Sequence, residues 1–327
     1  MVRWGVLGAG SVAQRRVMPA MTACPDCRLE ALMVRDAERA RQLASRFGAR
    51  RSHGRVEDLV ADPQVDAVYV STPVGLHCEH VLAAAAHGKH VLCEKPMALS
   101  ADQCRRMIAA CEAAGAHLEV CFVLRGWPVY QRIRALLQSG RLGRLVEARA
   151  QLAKWTPRQP GEWRLDATAS GGGALMDVGS HYLDLLRFLL GEFRRIACLH
   201  TSAVFGWPVE ETALALIEFC SGAHGTLSVS CAVPHGGNVL EVYGTQASLL
   251  LGRQLTILAP GGEETETAEY PDYYSGLLAH FCRRVTQGGE ALASGLDGLR
   301  NVEVITAAYH AAREGRVVEL GGCPADS

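Results

Sequence analysis

The chain opens Val2-Arg3-Trp4-Gly5-Val6-Leu7-Gly8-Ala9-Gly10-Ser11-Val12-Ala13. Val2 to Leu7 reads as a short apolar strand, Gly8-x-Gly10-x-x-Ala13 follows at once, and Ser11 to about Met21 reads as a helix. Strand, then glycines, then helix is the order a dinucleotide pyrophosphate requires. Gly8 permits a tight turn, Gly10 lets the backbone approach the phosphates, and small Ala13 lets helix and strand pack closely. The amides of Ser11 and Val12 then face the phosphate charge. An ordinary glycine turn is the competing reading, and the position directly after a strand weighs against it.

Working outward, strands and helices alternate over the first 120 or so residues. Strands are expected at Arg28–Val34, Val65–Ser71, Val91–Cys93 and His117–Phe122. Helices are expected at Ala37–Phe47, His77–His87 and Ala101–Ala114, each ending at a glycine. VDAVYVS, Val65 to Ser71, is continuously apolar and β-branched, as a strand buried on both faces should be. This rhythm predicts an α/β fold with a doubly wound parallel sheet, in which ligands lie beyond the strand C-termini. Chemistry is therefore sought in the loops Gly8–Ala13, Val34–Asp36, Ser71–His77 and Glu94–Met97. The second strand ends Met33-Val34-Arg35-Asp36. Arg35 suits the 2′-phosphate of NADP, since guanidinium matches phosphate bidentately. Asp36 suits the ribose of NAD if the strand runs two residues further.

Composition excludes several classes. The 327 residues are 49% hydrophobic and 20% charged with a net charge of -1, an ordinary globular balance without the basic excess of a nucleic-acid binder. No apolar run approaches the ~20 residues that cross a bilayer, and the N-terminus shows no leader pattern, so a cytoplasmic protein is expected. Twelve scattered cysteines then point to reduced thiols. Cys24-Pro25-Asp26-Cys27 lacks a second pair to complete a zinc site, and His77-Cys78-Glu79-His80 falls where a helix begins, so no metal is expected at either.

A second stretch stands out at Gly171-Gly172-Gly173-Ala174-Leu175-Met176-Asp177-Val178-Gly179-Ser180-His181-Tyr182-Leu183-Asp184. At about 100° per residue, Leu175, Val178, Tyr182, Leu185 and Leu189 form an apolar stripe, while Asp177, His181 and Asp184 share another face. A carboxylate one turn from an imidazole can fix its tautomer for acid–base work. A polar face turned to water is the alternative. Three preceding glycines leave room for something to approach the helix start.

Gly8-x-Gly10-x-x-Ala13, Thr72-Pro73, Glu94-Lys95-Pro96 and GGG-x-x-x-Asp177-x-Gly179-x-His181-x-x-Asp184, in this order over nearly the whole chain, resemble the glucose–fructose oxidoreductase / inositol dehydrogenase (Gfo/Idh/MocA) family. The resemblance implies a Rossmann domain over 1–124 and a substrate-binding and oligomerisation domain over 125–327, built on a large open mixed sheet. Leu145–Leu152, Thr212–Phe219, Gly225–Ala232, Val239–Tyr243 and Ser248–Leu251 read as its strands, followed by helices at Gly276–Gln287 and Leu296–Arg313. It implies that Lys95 holds the substrate oxygen and nicotinamide edge, that Glu94 and Pro96 shape that loop, and that Asp177 and His181 face the reacting carbon, His181 carrying the proton. Ser71, Thr72, Pro73 and His77 would line the cofactor, and the Lys95–Pro96 bond is a candidate cis peptide. Trp163-Arg164 resembles a pair that reaches cofactor and substrate in the anhydrofructose reductase branch, unless Trp163 only packs at a domain junction. Val74 departs from the family, which often has Asn there.

The reaction implied is hydride transfer between NADP, or NAD, and a sugar-like carbonyl or hydroxyl, with reduction of a ketosugar first. Oxidation of a cyclic polyol by NAD, a non-catalytic regulator, and a glycosidase holding NAD are the alternatives. The Trp155–Asp166 loop, with Trp155, Arg158, Trp163, Arg164 and Asp166, is a candidate pocket wall. Thr212–Phe219 is largely apolar on both sides, as are Leu227/Val229 and Leu249/Leu251 nearby. A homodimer or tetramer through the sheet is therefore expected, unless a loop or the Gly261–Pro271 segment covers that face.

Overall fold

The structure is a computed structural model and describes residues 1–271 and 273–323, so the last four residues of the expected second domain lie outside it. The chain divides into two compact units, Met1–Gly126 with Asp272–Leu299 and Trp127–Pro271 with Arg300–Ser327.

The first unit is built on a six-stranded sheet: β1 (Val2–Leu7), β2 (Cys27–Met33), β3 (Arg51–His53), β4 (Ala67–Val70), β5 (His90–Cys93) and β6 (Leu118–Val120). The order is β3-β2-β1-β4-β5-β6 and every pairing is parallel. That is the doubly wound order, whose topological switch lies between β1 and β4. All four residues of β4 are buried, as its unbroken apolar run requires. The loops that leave β1, β2 and β4 are tied together there: Gly8 N donates to Met33 O at 3.0 Å and Ser71 N to Leu7 O at 2.8 Å.

A division at 124/125 leaves residues 272–299 in the second domain, whereas the structure groups them with the first unit. The helix Tyr274–Gln287 explains this. Its buried residues Leu277, Leu278, Phe281 and Cys282 belong to the core that holds Trp4, Val6 and Leu29. The Phe281 ring lies 5.0 Å from that of Trp4. Burying each such side chain contributes roughly 1.5–3 kcal/mol, so sequence distance is overridden by the apolar stripe.

The second unit carries nine strands: β7 (Leu145–Trp155), β8 (Phe193–Thr201), β9 (Thr212–Phe219), β10 (His224–Ser230), β11 (Ala232–Gly244), β12 (Ser248–Leu251), β13 (Gln254–Ala259), β14 (Gly262–Thr267) and β15 (Val318–Glu319). They run β14-β13-β12-β11-β7-β10-β9-β8-β15, antiparallel except for β7 with β10. The sheet is thus mixed and open. Along β9, Ala213, Ala215, Ile217 and Phe219 are buried, while Leu214 and Leu216 are 52% and 63% exposed. Leu227, Val229, Leu249 and Leu251 lie on covered positions. Leu214 and Leu216 thus leave apolar surface open, as does Leu199, opposite Leu214 on β8, at 72% exposure.

One expectation is overturned. Cys220 and Cys323 form a disulfide with Cα atoms 5.5 Å apart, although 103 residues separate them. β15 adds to the sheet edge beside β8, and Leu320 N donates to Arg194 O at 2.7 Å, bringing the end of the chain to the turn after β9. The other ten cysteines are free and buried.

Candidate functional site

The residues singled out in the sequence fall into two clusters, one in each unit. In the first unit they gather at the C-terminal ends of β1, β2, β4 and β5. Gly8 has φ 84°, and a Cβ there would lie 2.8 Å from Ser71 O, so no other residue fits without displacing backbone. A Cβ on Gly10 would meet nothing nearer than 3.9 Å. The helix that follows has no side-chain cap and passes into a π-helical turn at Ala13–Val17. A turn that demands glycine, an open space over Gly10 and an uncapped helix start fit a pyrophosphate.

Beyond β2, Asp36 is the N-cap of the helix Ala37–Phe47, its carboxylate accepting from Arg39 N at 2.9 Å. Arg35 beside it is exposed. The acidic residue is therefore engaged in capping, and the guanidinium faces solvent at the strand end.

The Glu94–Pro96 loop is held at several points. Glu94 N donates to Val70 O at 2.9 Å. The Glu94 carboxylate accepts from the Tyr69 hydroxyl at 2.7 Å and from Lys95 N at 3.1 Å. Burial, followed by the neighbouring Glu94 charge, pushes the Tyr69 hydroxyl well above its usual range, so it remains a donor. The Lys95–Pro96 peptide is cis. His77, sought as a cofactor residue, is buried, with Nδ1 3.0 Å from Pro96 O and Nε2 2.9 Å from Thr72 O. Its ring therefore joins the Thr72 loop to the loop that presents Lys95. Two facing carbonyls favour a doubly protonated ring, but loss of water disfavours it more strongly and lowers the pKa to about 4. Val74 is buried, so this position offers no polar group.

In the second unit, Gly171 ends the short helix Ala167–Ser170 in the left-handed conformation. A Cβ on Gly172 would lie 2.0 Å from the Tyr309 hydroxyl, and one on Gly173 would lie 1.8 Å from Glu210 O. The groups that approach this helix start are thus the protein's own. Glu210, 6% exposed, accepts from Gly173 N and Leu175 N at 2.9 Å each, and Tyr309 donates to it at 2.8 Å. A carboxylate already holds the positive end of the helix.

A π-helical turn over Leu175–Gly179 then leads into the helix Ser180–Leu190. Such turns often occur at functional sites, and this one shifts the phase assumed by a uniform wheel. Asp184, expected to share a face with Asp177 and His181, follows His181 by three residues in the regular helix and is only 1% exposed. Asp177 faces basic residues. Arg158 Nη2 donates to its Oδ2 at 2.6 Å, and Arg164 Nε lies 3.4 Å from the same oxygen. The Arg164 guanidinium sits 4.5 Å over the Trp163 ring. His181, one turn beyond Asp177, is half-buried. Asp166, a candidate wall residue, caps the helix Ala167–Ser170 through Thr168 N.

Comparison with known proteins accounts for both halves. Residues 2–122 match the model of the oxidoreductase family with an NAD-binding Rossmann fold, and residues 130–250 match the GFO/IDH/MocA C-terminal domain. The chain belongs to the GFO/IDH/MocA oxidoreductase family. It is 33% identical to a 1,5-anhydro-D-fructose reductase of Ensifer adhaerens over 98% of this chain and 99% of that protein. It is 31% identical to D-xylose 1-dehydrogenase (NADP(+)) 2 of Haloferax volcanii, covering 97% and 99%. The crystal structure of an aldose-aldose oxidoreductase from Caulobacter crescentus with glycerol superposes with a TM-score of 0.89 at 32% identity, covering 98% and 99%. The protein is accordingly an NAD(P)-linked oxidoreductase of the sugar and polyol group, acting on CH–OH centres. Among the described residues no helix is long and apolar enough to cross a membrane.

Sequence reading missed four residues that organise the second cluster: Glu210, Glu211, Trp207 and Tyr309. Glu210 lies 37 residues from Gly173 and Tyr309 lies 137 from Gly172, so only the glycine run itself signalled that something approaches. Glu211 is fully buried and accepts from the amides of Val204 and Phe205. It thereby fixes a loop on which Phe205 stacks against Trp207 at 4.5 Å.

Proposed function

We propose that the protein catalyses the NADPH-dependent reduction of a ketosugar to the corresponding polyhydroxy alcohol. The observation that carries the cofactor choice is at the end of β2, where Asp36 is engaged as a helix cap and Arg35 stands exposed. A guanidinium there matches a 2′-phosphate, and the reductase and NADP-named relatives are consistent with it.

Nicotinamide supplies the hydride when bound. The protein's part is to hold the carbonyl and manage its charge. Lys95 offers a cation to the oxygen that becomes an alkoxide, and the braces from Glu94 and His77 keep its loop in one conformation. His181 gives the proton and Asp177 orients it. Gly8, Gly10, Ser11, Val12 and Ala13 cradle the pyrophosphate, Ser71, Thr72 and Pro73 line the nicotinamide ribose, and Trp163 with Arg164 meets cofactor and substrate. Initial rates on a panel of ketosugars, with NADPH and NADH in parallel, test the reading. Faster turnover with NADPH supports it, whereas NAD-linked oxidation of a cyclic polyol without ketosugar reduction refutes it.

We also infer a homodimer, or a dimer of dimers, through the open sheet face. Leu199, Leu214 and Leu216 leave an apolar patch there that a partner sheet would cover. Sedimentation equilibrium at micromolar concentration should show at least twice the chain mass, and a single species at the chain mass excludes the assembly.

A further inference from the structure

We propose that Arg158 is the positioning residue for the Asp177 carboxylate, and that the aromatic stack ending at Trp207 sets where Arg158 stands. The inference rests on the reading of Asp177 and His181 as the proton-handling pair of the reaction.

Arg158 is placed by contacts on three sides. Its Nη2 is 2.6 Å from Asp177 Oδ2, and its Nη1 is 3.9 Å from Glu162. Its guanidinium carbon lies 5.9 Å from the centre of the Trp207 ring. Only 10% of the side chain is exposed, so the charge is largely removed from water and needs these partners. Trp207 is itself fixed. Phe205 stacks on it at an interplanar angle of 18°, Trp155 closes on Phe205 at 4.9 Å, and buried Glu211 holds the loop through two backbone amides. A planar guanidinium held between an aromatic ring and a carboxylate loses little freedom on making its hydrogen bond. Arg164, 32% exposed and 3.4 Å from the same Asp177 oxygen, is the looser of the two.

The consequence is electrostatic as well as steric. Asp177 lies in the π-helical turn four residues before His181, and on the proposed reading of the pair its charge favours the protonated imidazole. Arg158 offsets part of that charge while fixing the carboxylate's orientation. Charged or titratable groups near the pair include Arg164 against Asp177, Asp184 on the helix of His181, and Lys154 with Cys231 near Arg158. Burial pushes the Cys231 thiol up, so it stays uncharged beside them.

The test is the protonation constant of His181, read by two-dimensional proton–nitrogen correlation of its ring in the intact, cofactor-free protein, so that it stands apart from activity. Arg158→Gln should raise this constant several-fold, because the Asp177 charge is less neutralised. Arg158→Lys keeps the charge and should leave it within about twofold of the parent. In turnover, Arg158→Gln should lower kcat about 10- to 100-fold with a smaller change in KM, and Arg158→Lys should recover part of the loss. Trp207→Leu, which leaves the ion pair's two partners in place, should shift His181 in the same direction by less, and it serves if Arg158→Gln does not fold. An identical His181 titration in parent, Arg158→Gln and Trp207→Leu overturns the proposal. A parent protein that reduces no ketosugar refutes the proposed function while leaving the titration result to decide the role of Arg158.

Discussion

Gly8–Val17 in the first unit and Gly171–Leu190 in the second have the same outline: glycines, a π-helical turn and a helix. They differ in what meets the helix start. In the first, a Cβ on Gly10 would have 3.9 Å of clearance and no side chain caps the helix. In the second, Glu210 and Tyr309 fill the space, and a Cβ on Gly173 would meet Glu210 O at 1.8 Å. A glycine run before a helix shows that something approaches closely. Only the surroundings show whether that something is a ligand's phosphate or the protein's own carboxylate.

The largest effect that sharpens this contrast is Gly173→Ala. The backbone of Glu210 has to move, so we expect a loss of more than ~4 kcal/mol of stability and failure to accumulate as folded protein. Folding at the parent Tm would contradict a filled helix start. Lys95→Ala and His181→Ala should next cut turnover by about 10²–10⁴ with nicotinamide binding retained, measured by steady-state kinetics beside cofactor titration.

Smaller effects probe the two ends of the cofactor site. Arg35→Ala should weaken NADPH by roughly 1.5–3 kcal/mol and NADH far less; equal weakening of both, or a parent that prefers NADH, breaks the assignment. His77 gives the pH dependence. Its pKa is lowered to about 4 in the folded protein against a reference of 6.5, so the unfolded chain takes up the proton first as pH falls. This residue's contribution is complete above about pH 6.5 and is lost progressively between there and about pH 4, a change of roughly 3 kcal/mol. Urea unfolding across that window should show the slope, and His77→Gln should flatten it.

Much of the first unit was legible because its signals are local. β-rich apolar runs, glycine stops and the Gly8 turn each lie within a dozen residues, and the expected helix Ala37–Phe47 is reproduced to the residue. The roles of individual side chains were less so. Asp36 could serve ribose or helix, and the sequence does not show that the His77 ring lies between two carbonyls. In the second unit the determining contacts are remote. Glu210 meets Gly173, Arg158 meets Asp177 and Cys323 meets Cys220 only once the mixed sheet has formed. The π turn at Leu175–Gly179 holds Asp177 and disturbs its phase, whereas His181 and Asp184 keep their spacing in the regular helix Ser180–Leu190.

The measurement that tests the contrast most directly is calorimetric titration of NADPH into the parent protein and into Gly10→Ala, with Tm recorded for both. A methyl group at Gly10 has room in the protein itself but occupies the approach reserved for pyrophosphate. The account predicts an unchanged Tm with NADPH binding weakened at least ~10-fold, about 1.4 kcal/mol. Equal NADPH affinity in the two proteins would contradict it.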